Sequence, residues 1–208
     1  MMKDFELKND TNAVFSFNTR GSNFKYMLLN GNIYISHVSS YALSVEIPEE
    51  INGAVVTGIL NGAIHDLGCS SITLPKTLKY IGSHAIYDCS EITTLSIPKN
   101  VEYIEERAIV HCPKLECVHM ECRHINKLPN FMIDDCGNLK SLYFYANADN
   151  IDKKFIRDEH RSFKIFCNPK NSIIKQLDDS DFKIEPCYTS SLERFLDENC
   201  QPENLDKG

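Results

Sequence analysis

Two adjoining stretches of this chain repeat one another, and that repetition constrains the fold more than any other feature. ITLPKTLKYIGSHAIYDCSEITT, starting at Ile72, is followed at once by LSIPKNVEYIEERAIVHCPKLEC. Pro75, Ile81, Ala85, Ile86 and Cys89 therefore recur 23 residues later as Pro98, Ile104, Ala108, Ile109 and Cys112. Apolar positions are held while polar ones drift, which is the pattern of a stacked array. A unit this short cannot bury its apolar face alone, so neighbouring units must stack and bury it together.

The repeat extends in both directions. VEIPEEINGAVVTGILNGAIHDL aligns with the central pair if residues around Asn52-Gly53 loop out, placing Val56, Ile59, Ala63 and Ile64 beneath Leu78, Ile81, Ala85 and Ile86. A fourth unit carries Ile125, Leu128, Met132, Ile133 and Cys136 in the same columns, and Leu142 and Phe144 open a degenerate fifth. Within a unit, alternation predicts a strand, because successive side chains point to opposite faces. Strands are expected near residues 71–75, 94–98, 117–121 and 141–145. Ile72, Leu74, Leu95, Ile97, Val118, Met120, Leu142 and Phe144 should point inward. The fold class predicted is a leucine-rich repeat solenoid of the α/β type over residues 45–162, with a parallel strand ribbon and short irregular or helical convex segments.

Both ends should be capped. Residues 1–44 contain two apolar runs joined at Asn30-Gly31, a pair that supplies the positive φ angles of a tight hairpin. Residues 163–200 read as mixed strand and helix, ending in SSLERFLDEN with Ser190 and Glu193 as a capping box. Residues 201–208 are expected to be a disordered tail.

A formal charge of −7 gives no basic footprint for nucleic acid. The opening MMKDFELKND has no apolar run suited to a signal peptide, and nothing is long enough to cross a bilayer. The expectation is a cytoplasmic chain without membrane insertion. Nine cysteines raise the question of disulfides, but Cys89, Cys112 and Cys136 recur at the repeat spacing and Cys69 falls where the next unit has Ile92. Such positions call for a small buried hydrophobe, so reduced core thiols are expected.

The paired runs LP-x2-L-x2-IG-x2-AI-x2-C-x2-I and IP-x2-V-x2-I-x3-AI-x2-C-x2-L resemble the BspA-type, or Treponema-type, leucine-rich repeat, over about Val45 to Leu142. IFCNPKNSIIKQL is similar to the segment that often closes that repeat array. Ile64, Ile86 and Ile109 stand where the family usually has phenylalanine, and Met132 replaces the preceding alanine; these are core changes of tolerable volume. The resemblance implies a protein-interaction scaffold with no shared catalytic residues. Many relatives are surface or secreted proteins that bind host or matrix proteins, so a cell-surface adhesin is the alternative it implies.

Candidate site residues lie in the outward column of the ribbon: Thr73, Thr94, Ser96, Cys117, His119, Ser141, Tyr143 and Tyr145. Small hydroxyls at one end give way to aromatic residues at the other, and tyrosine is favoured where partners bind. The expectation is a non-catalytic protein-binding module, with a protein as partner and no cofactor, docking around His119 and Tyr143. A second alternative is a Cys/His site in HCPKLECVHMECRH, with His111, Cys112, Cys117, His119, Cys122 and His124. The segment lacks the close Cys pair usual for zinc. As a nucleophile and base, Cys117 and His119 stand two apart on a strand, about 6–7 Å between Cβ atoms, further than such a pair prefers.

Overall fold

The structure is a computed structural model, and it describes residues 13–145, 147–152, 154–157, 163–167, 172–177 and 183–187. The expected last helix over 190–199, the turn at 168–169 and the tail lie outside these residues.

The N-terminal hairpin forms as the Asn-Gly pair predicts. β2 (Ser22–Leu29) and β3 (Asn32–Ser40) run antiparallel across Asn30-Gly31, with φ of 51° and 76° at the two turn residues. β1 (Val14–Thr19) adds on the far side of β2 through a second tight turn.

The chain then winds as a solenoid, and each full turn contributes three short strands. The first turn has β4 (Ser44–Glu46), β6 (Ala54–Ile59) and β7 (Ile64–His65). The extra residues expected to loop out there form a small hairpin, β5 (Glu50–Ile51) against β6, closed by Asn52 and Gly53 at positive φ. The second turn has β8 (Ser71–Thr73), β9 (Tyr80–Ile81) and β10 (Ile86–Tyr87). The third has β11 (Thr94–Ile97), β12 (Tyr103–Ile104) and β13 (Ile109–Val110). The fourth has β14 (Cys117–Met120), β15 (His124–Leu128) and β16 (Ile133–Asp134), and the fifth β17 (Ser141–Phe144), β18 (Asn147–Ile151) and β19 (Ile156–Arg157). The last comprises β20 (Lys164–Cys167), the helix α1 (Ser172–Leu177) and β21 (Lys183–Pro186).

Every solenoid ladder is parallel and in repeat register. The ribbon stacks Leu95 on Val118 on Leu142 on Ile165, and all four are buried. It runs through β11-β14-β17-β20-β21, while β4 and β8 pair separately as its first two rungs. Each of the eight predicted inward residues from Ile72 to Phe144 is buried, at most 6% exposed. Burying an Ile or Leu contributes about 1.5–3 kcal/mol, so one such column per turn holds the stack together.

The segments between ribbon strands differ from the irregular or helical stretches expected. They form two further parallel ladders, one through Ile59, Ile81 and Ile104 and one through Ile64, Ile86, Ile109, Ile133 and Ile156. The reason is local. The second ladder is pinched between two left-handed corners in each turn. Gly62, His84, Arg107 and Phe131 stand at one corner, and Asp66, Asp88, His111 and Asp135 at the other, all with φ between 51° and 68°. A helix cannot start between corners four residues apart, whereas a two-residue strand fits. The long strand β3 serves both ladders, with Ile35 beside Ile59 and Val38 beside Ile64. The hairpin is therefore built into the wall of the solenoid.

The cysteine column is as the repeat predicts. Cys69, Cys89, Cys112 and Cys136 are all buried, and the eight cysteines among the described residues are free thiols. The Sγ atoms of Cys89, Cys112 and Cys136 donate to the carbonyls of Tyr87, Val110 and Asp134 at 3.6, 3.5 and 3.5 Å.

Candidate interaction surface

The ribbon places the predicted site residues in two outward columns. Thr94, Cys117 and Ser141 are in register in one, and Ser96, His119, Tyr143 and Phe166 in the other. Their exposure does not follow the expectation. Thr73 and Ser96 are exposed and Thr94 and Tyr145 half-buried, but Cys117 (3%), His119 (5%), Ser141 (6%) and Tyr143 (2%) are buried. The aromatic end of the ribbon is thus a packed wall. His119 stacks on Tyr143 at 4.8 Å between ring centroids and Tyr143 on Phe166 at 4.7 Å, with interplanar angles of 12° and 11°. Parallel strands spaced about 4.8 Å apart bring such rings face to face, so each covers the next.

The same strand corrects the geometry expected for Cys117 and His119. Rotation of both side chains brings Sγ to 3.2 Å from Nε2, which a thiol–imidazole pair needs. The pair is nonetheless buried in the wall. The remaining members of the Cys/His segment go separate ways. Cys112 and Cys122 are in the core, His111 pairs with Asp88, and His124 meets Asp149 at 3.2 Å. Among the described residues no group of three or more His, Cys, Asp or Glu side chains is placed to hold a metal ion.

Accessible aromatic side chains gather instead on the long sheet, on the outward sides of the other two ladders. One column holds Tyr34, Gly58, Tyr80 and Tyr103 in register. The next holds His65 and Tyr87, with His37 beside them. Tyr103 is 40% exposed and the other rings half-buried. His37 lies 5.1 Å from His65, which stacks on Tyr87 at 5.2 Å, and Tyr34 lies 6.4 Å from Tyr80. Their polar tips are held. The Tyr80 hydroxyl donates to Glu105 Oε1 at 2.6 Å, and His65 Nδ1–H donates to the Gly62 carbonyl at 2.7 Å, which fixes its tautomer. Burial, then the neighbouring His65 and Lys25, push the His37 pKa below the usual histidine value.

Acidic residues flank this strip. Asp66, Asp88 and Asp135 occupy the left-handed corners beyond the histidine column, and Glu102, Glu105 and Glu106 bracket Tyr103. Asp66 and Asp88 line an open cleft of about 360 Å³ together with Ser90, His111 and Pro113. The hydrogen bond that His111 donates to Asp88 raises the His111 pKa. Sequence reasoning passed over this surface, although K-Y-I and E-Y-I at the repeat spacing already carried Tyr80 and Tyr103.

A parallel, three-laddered solenoid with a repeating isoleucine–cysteine core defines the class as a leucine-rich repeat solenoid. The model of the BspA type leucine rich repeat region matches residues 57–182 in 6 copies, and the chain belongs to that family. The structure is similar to that of the pneumococcal vaccine antigen PcpA, with a TM-score of 0.57 and 18% identity over 83% of this chain and 48% of that one. The present chain thus spans about half the length of that protein. It is also similar to a leucine-rich repeat protein from Bacteroides capillosus, with a TM-score of 0.45 and 16% identity over 74% of this chain and 98% of that one. No curated protein matches the sequence. Among the described residues no helix is long and apolar enough to cross a membrane.

Proposed function

We propose that this chain is a non-catalytic protein-binding module whose partner docks on the tyrosine–histidine strip of the long sheet. The observation that carries this reading is the distribution of accessible rings: Tyr34, Tyr80, Tyr103, His37, His65 and Tyr87 share one face, whereas the ribbon offers Thr73, Thr94 and Ser96 with two half-buried rings, Tyr145 and Phe166. Tyrosines on a rigid sheet give contact area at low entropic cost and are enriched where binding energy concentrates. The flanking carboxylates suit a partner that sets basic side chains around an apolar or aromatic centre. The rings pack side by side along the ladders, which keeps the surface they offer rigid.

Membership of the repeat family supports a binding role, and the burial of Cys117 and His119 counts against thiol catalysis at that pair. The eight buried thiols among the described residues suit a reducing compartment, which supports a cytoplasmic location as part of this proposal. A partner identified by capture and then purified tests the reading. A Tyr103→Ala, His65→Ala double variant with an unchanged circular dichroism spectrum should lose at least tenfold in affinity. Equal affinity would overturn the strip as the docking site, and a loss on changing Thr73 and Ser96 would return it to the ribbon.

A further inference from the structure

Among the described residues the outer edge of the N-terminal hairpin carries none of the charge, proline or bulge that keeps sheet edges from pairing. Among the described residues β1 hydrogen-bonds to β2 alone. Exposed edges are normally blunted by charge, proline or a bulge, but from Thr11 to Thr19 the sequence TNAVFSFNT has no charged residue and no proline. The β1–β2 register is also unbroken. Val14 is 56% and Phe15 40% exposed.

The strand is complementary to itself. Phe15 and Phe17 lie on one face, over Tyr26 and Phe24 respectively in the β1–β2 register, and Phe15 stacks on Tyr26 at 5.5 Å. Tyr26 and Phe24 are buried, so β1 overhangs the core with two phenylalanines half covered. A second β1 placed antiparallel about a twofold axis at Ser16 sets Phe15 opposite the other copy's Phe17, and Phe17 opposite its Phe15. Both cross-strand pairs are then aromatic and lie on the face already apolar. Ser16 meets its own equivalent on the opposite face, and no like charges meet along the pair. Isologous contacts of this kind close as a dimer and leave no free edge.

We propose that the chain dimerises through antiparallel pairing of β1 with β1 of a second copy, joining the two hairpin sheets across a twofold axis at Ser16. The proposal does not rest on the function proposed for the tyrosine–histidine strip, although Ser16, Lys25 and the strip's His37 stand in one cross-strand row. The register gives a specific test, because Ser16 lies opposite Lys25 within the chain. Ser16→Glu places a carboxylate beside that lysine in the monomer but opposite a second carboxylate at the axis. Sedimentation equilibrium should give twice 23.7 kDa for the wild type and 23.7 kDa for S16E. S16K should also be monomeric, and an equimolar mixture of S16E and S16K should recover the double mass. Amide exchange over Val14–Thr19 should slow with concentration in the wild type and not in S16E, with the circular dichroism spectrum unchanged. A wild-type chain of single mass at every concentration would overturn the proposal. So would an S16E chain that remains dimeric, or a mixture that stays monomeric.

Discussion

Tyr34 lies over Gly58 in the adjacent strand, so closely that a Cβ on residue 58 would sit 2.2 Å from the ring's Cδ1 and 2.5 Å from its Cε1. Gly58 carries no positive φ, so the reason for glycine is space for the ring. Gly58→Ala should drive Tyr34 out of its column at a cost of about 1–3 kcal/mol. Thermal unfolding measures the loss, and a loss of affinity at the strip should accompany it. An unchanged melting temperature would mean that the ring does not rest there.

Replacing Tyr143 by alanine should act on stability. The ring is 2% exposed between His119 and Phe166, and removing a buried aromatic of this size costs about 3–5 kcal/mol. Urea unfolding of Tyr143→Ala should show that loss in its midpoint. A variant of full stability that loses a partner would restore the aromatic end of the ribbon as a docking site.

The buried thiols should make the protein sensitive to alkali. Burial pushes Cys122 up to about 12 and Cys167 up to about 11, and Cys112 is raised to about 12, chiefly by hydrogen bonding to Cys136. A group whose folded pKa lies above its unfolded value stabilises fully below the unfolded value, and that contribution is lost as pH rises towards the folded one. The window runs from about 8.5 to about 12, at about 1.4 kcal/mol per pH unit for each thiol. The melting temperature should hold up to about pH 8.5, the ordinary thiol value, and then fall steeply. Aryl-disulfide labelling of the native protein should stay slow until unfolding. Rapid labelling of several thiols in the native state would contradict the core placement.

Two histidines should titrate on opposite sides of their ordinary value. His111 accepts stabilisation of its charged form from Asp88, while burial disfavours charge on His37. NMR titration should place His111 above and His37 below about 6.5. Asp88→Asn should bring His111 back down and leave His37 where it was.

The ribbon was legible because its signal is local: alternation in TLSI and CVHM fixes which side chains face inward, and the repeat spacing fixes which stack. The Asn-Gly hairpin was legible for the same reason. The burial of His119 and Tyr143 was not, since it depends on Phe166, which reaches the stack only through the register of β17 with β20. The Cys117–His119 contact was hidden because strand spacing fixes Cβ positions and leaves the rotamers open. The tyrosine column was half visible, in Tyr80 and Tyr103. Its continuation to Tyr34 required β3 to join the wall, and nothing in FKYMLLNGNIYISHV announces that a hairpin strand will pair in parallel with β6.

The docking claim is tested most directly by site-specific photo-crosslinking in the cells that make the protein, with a benzophenone side chain introduced in turn at Tyr103, Tyr87 and Ser96. The account predicts that the same partner band is trapped from positions 103 and 87, that it is absent from 96, and that it weakens as salt screens the acidic flank. A specific band from position 96 with none from 103 or 87 would contradict it.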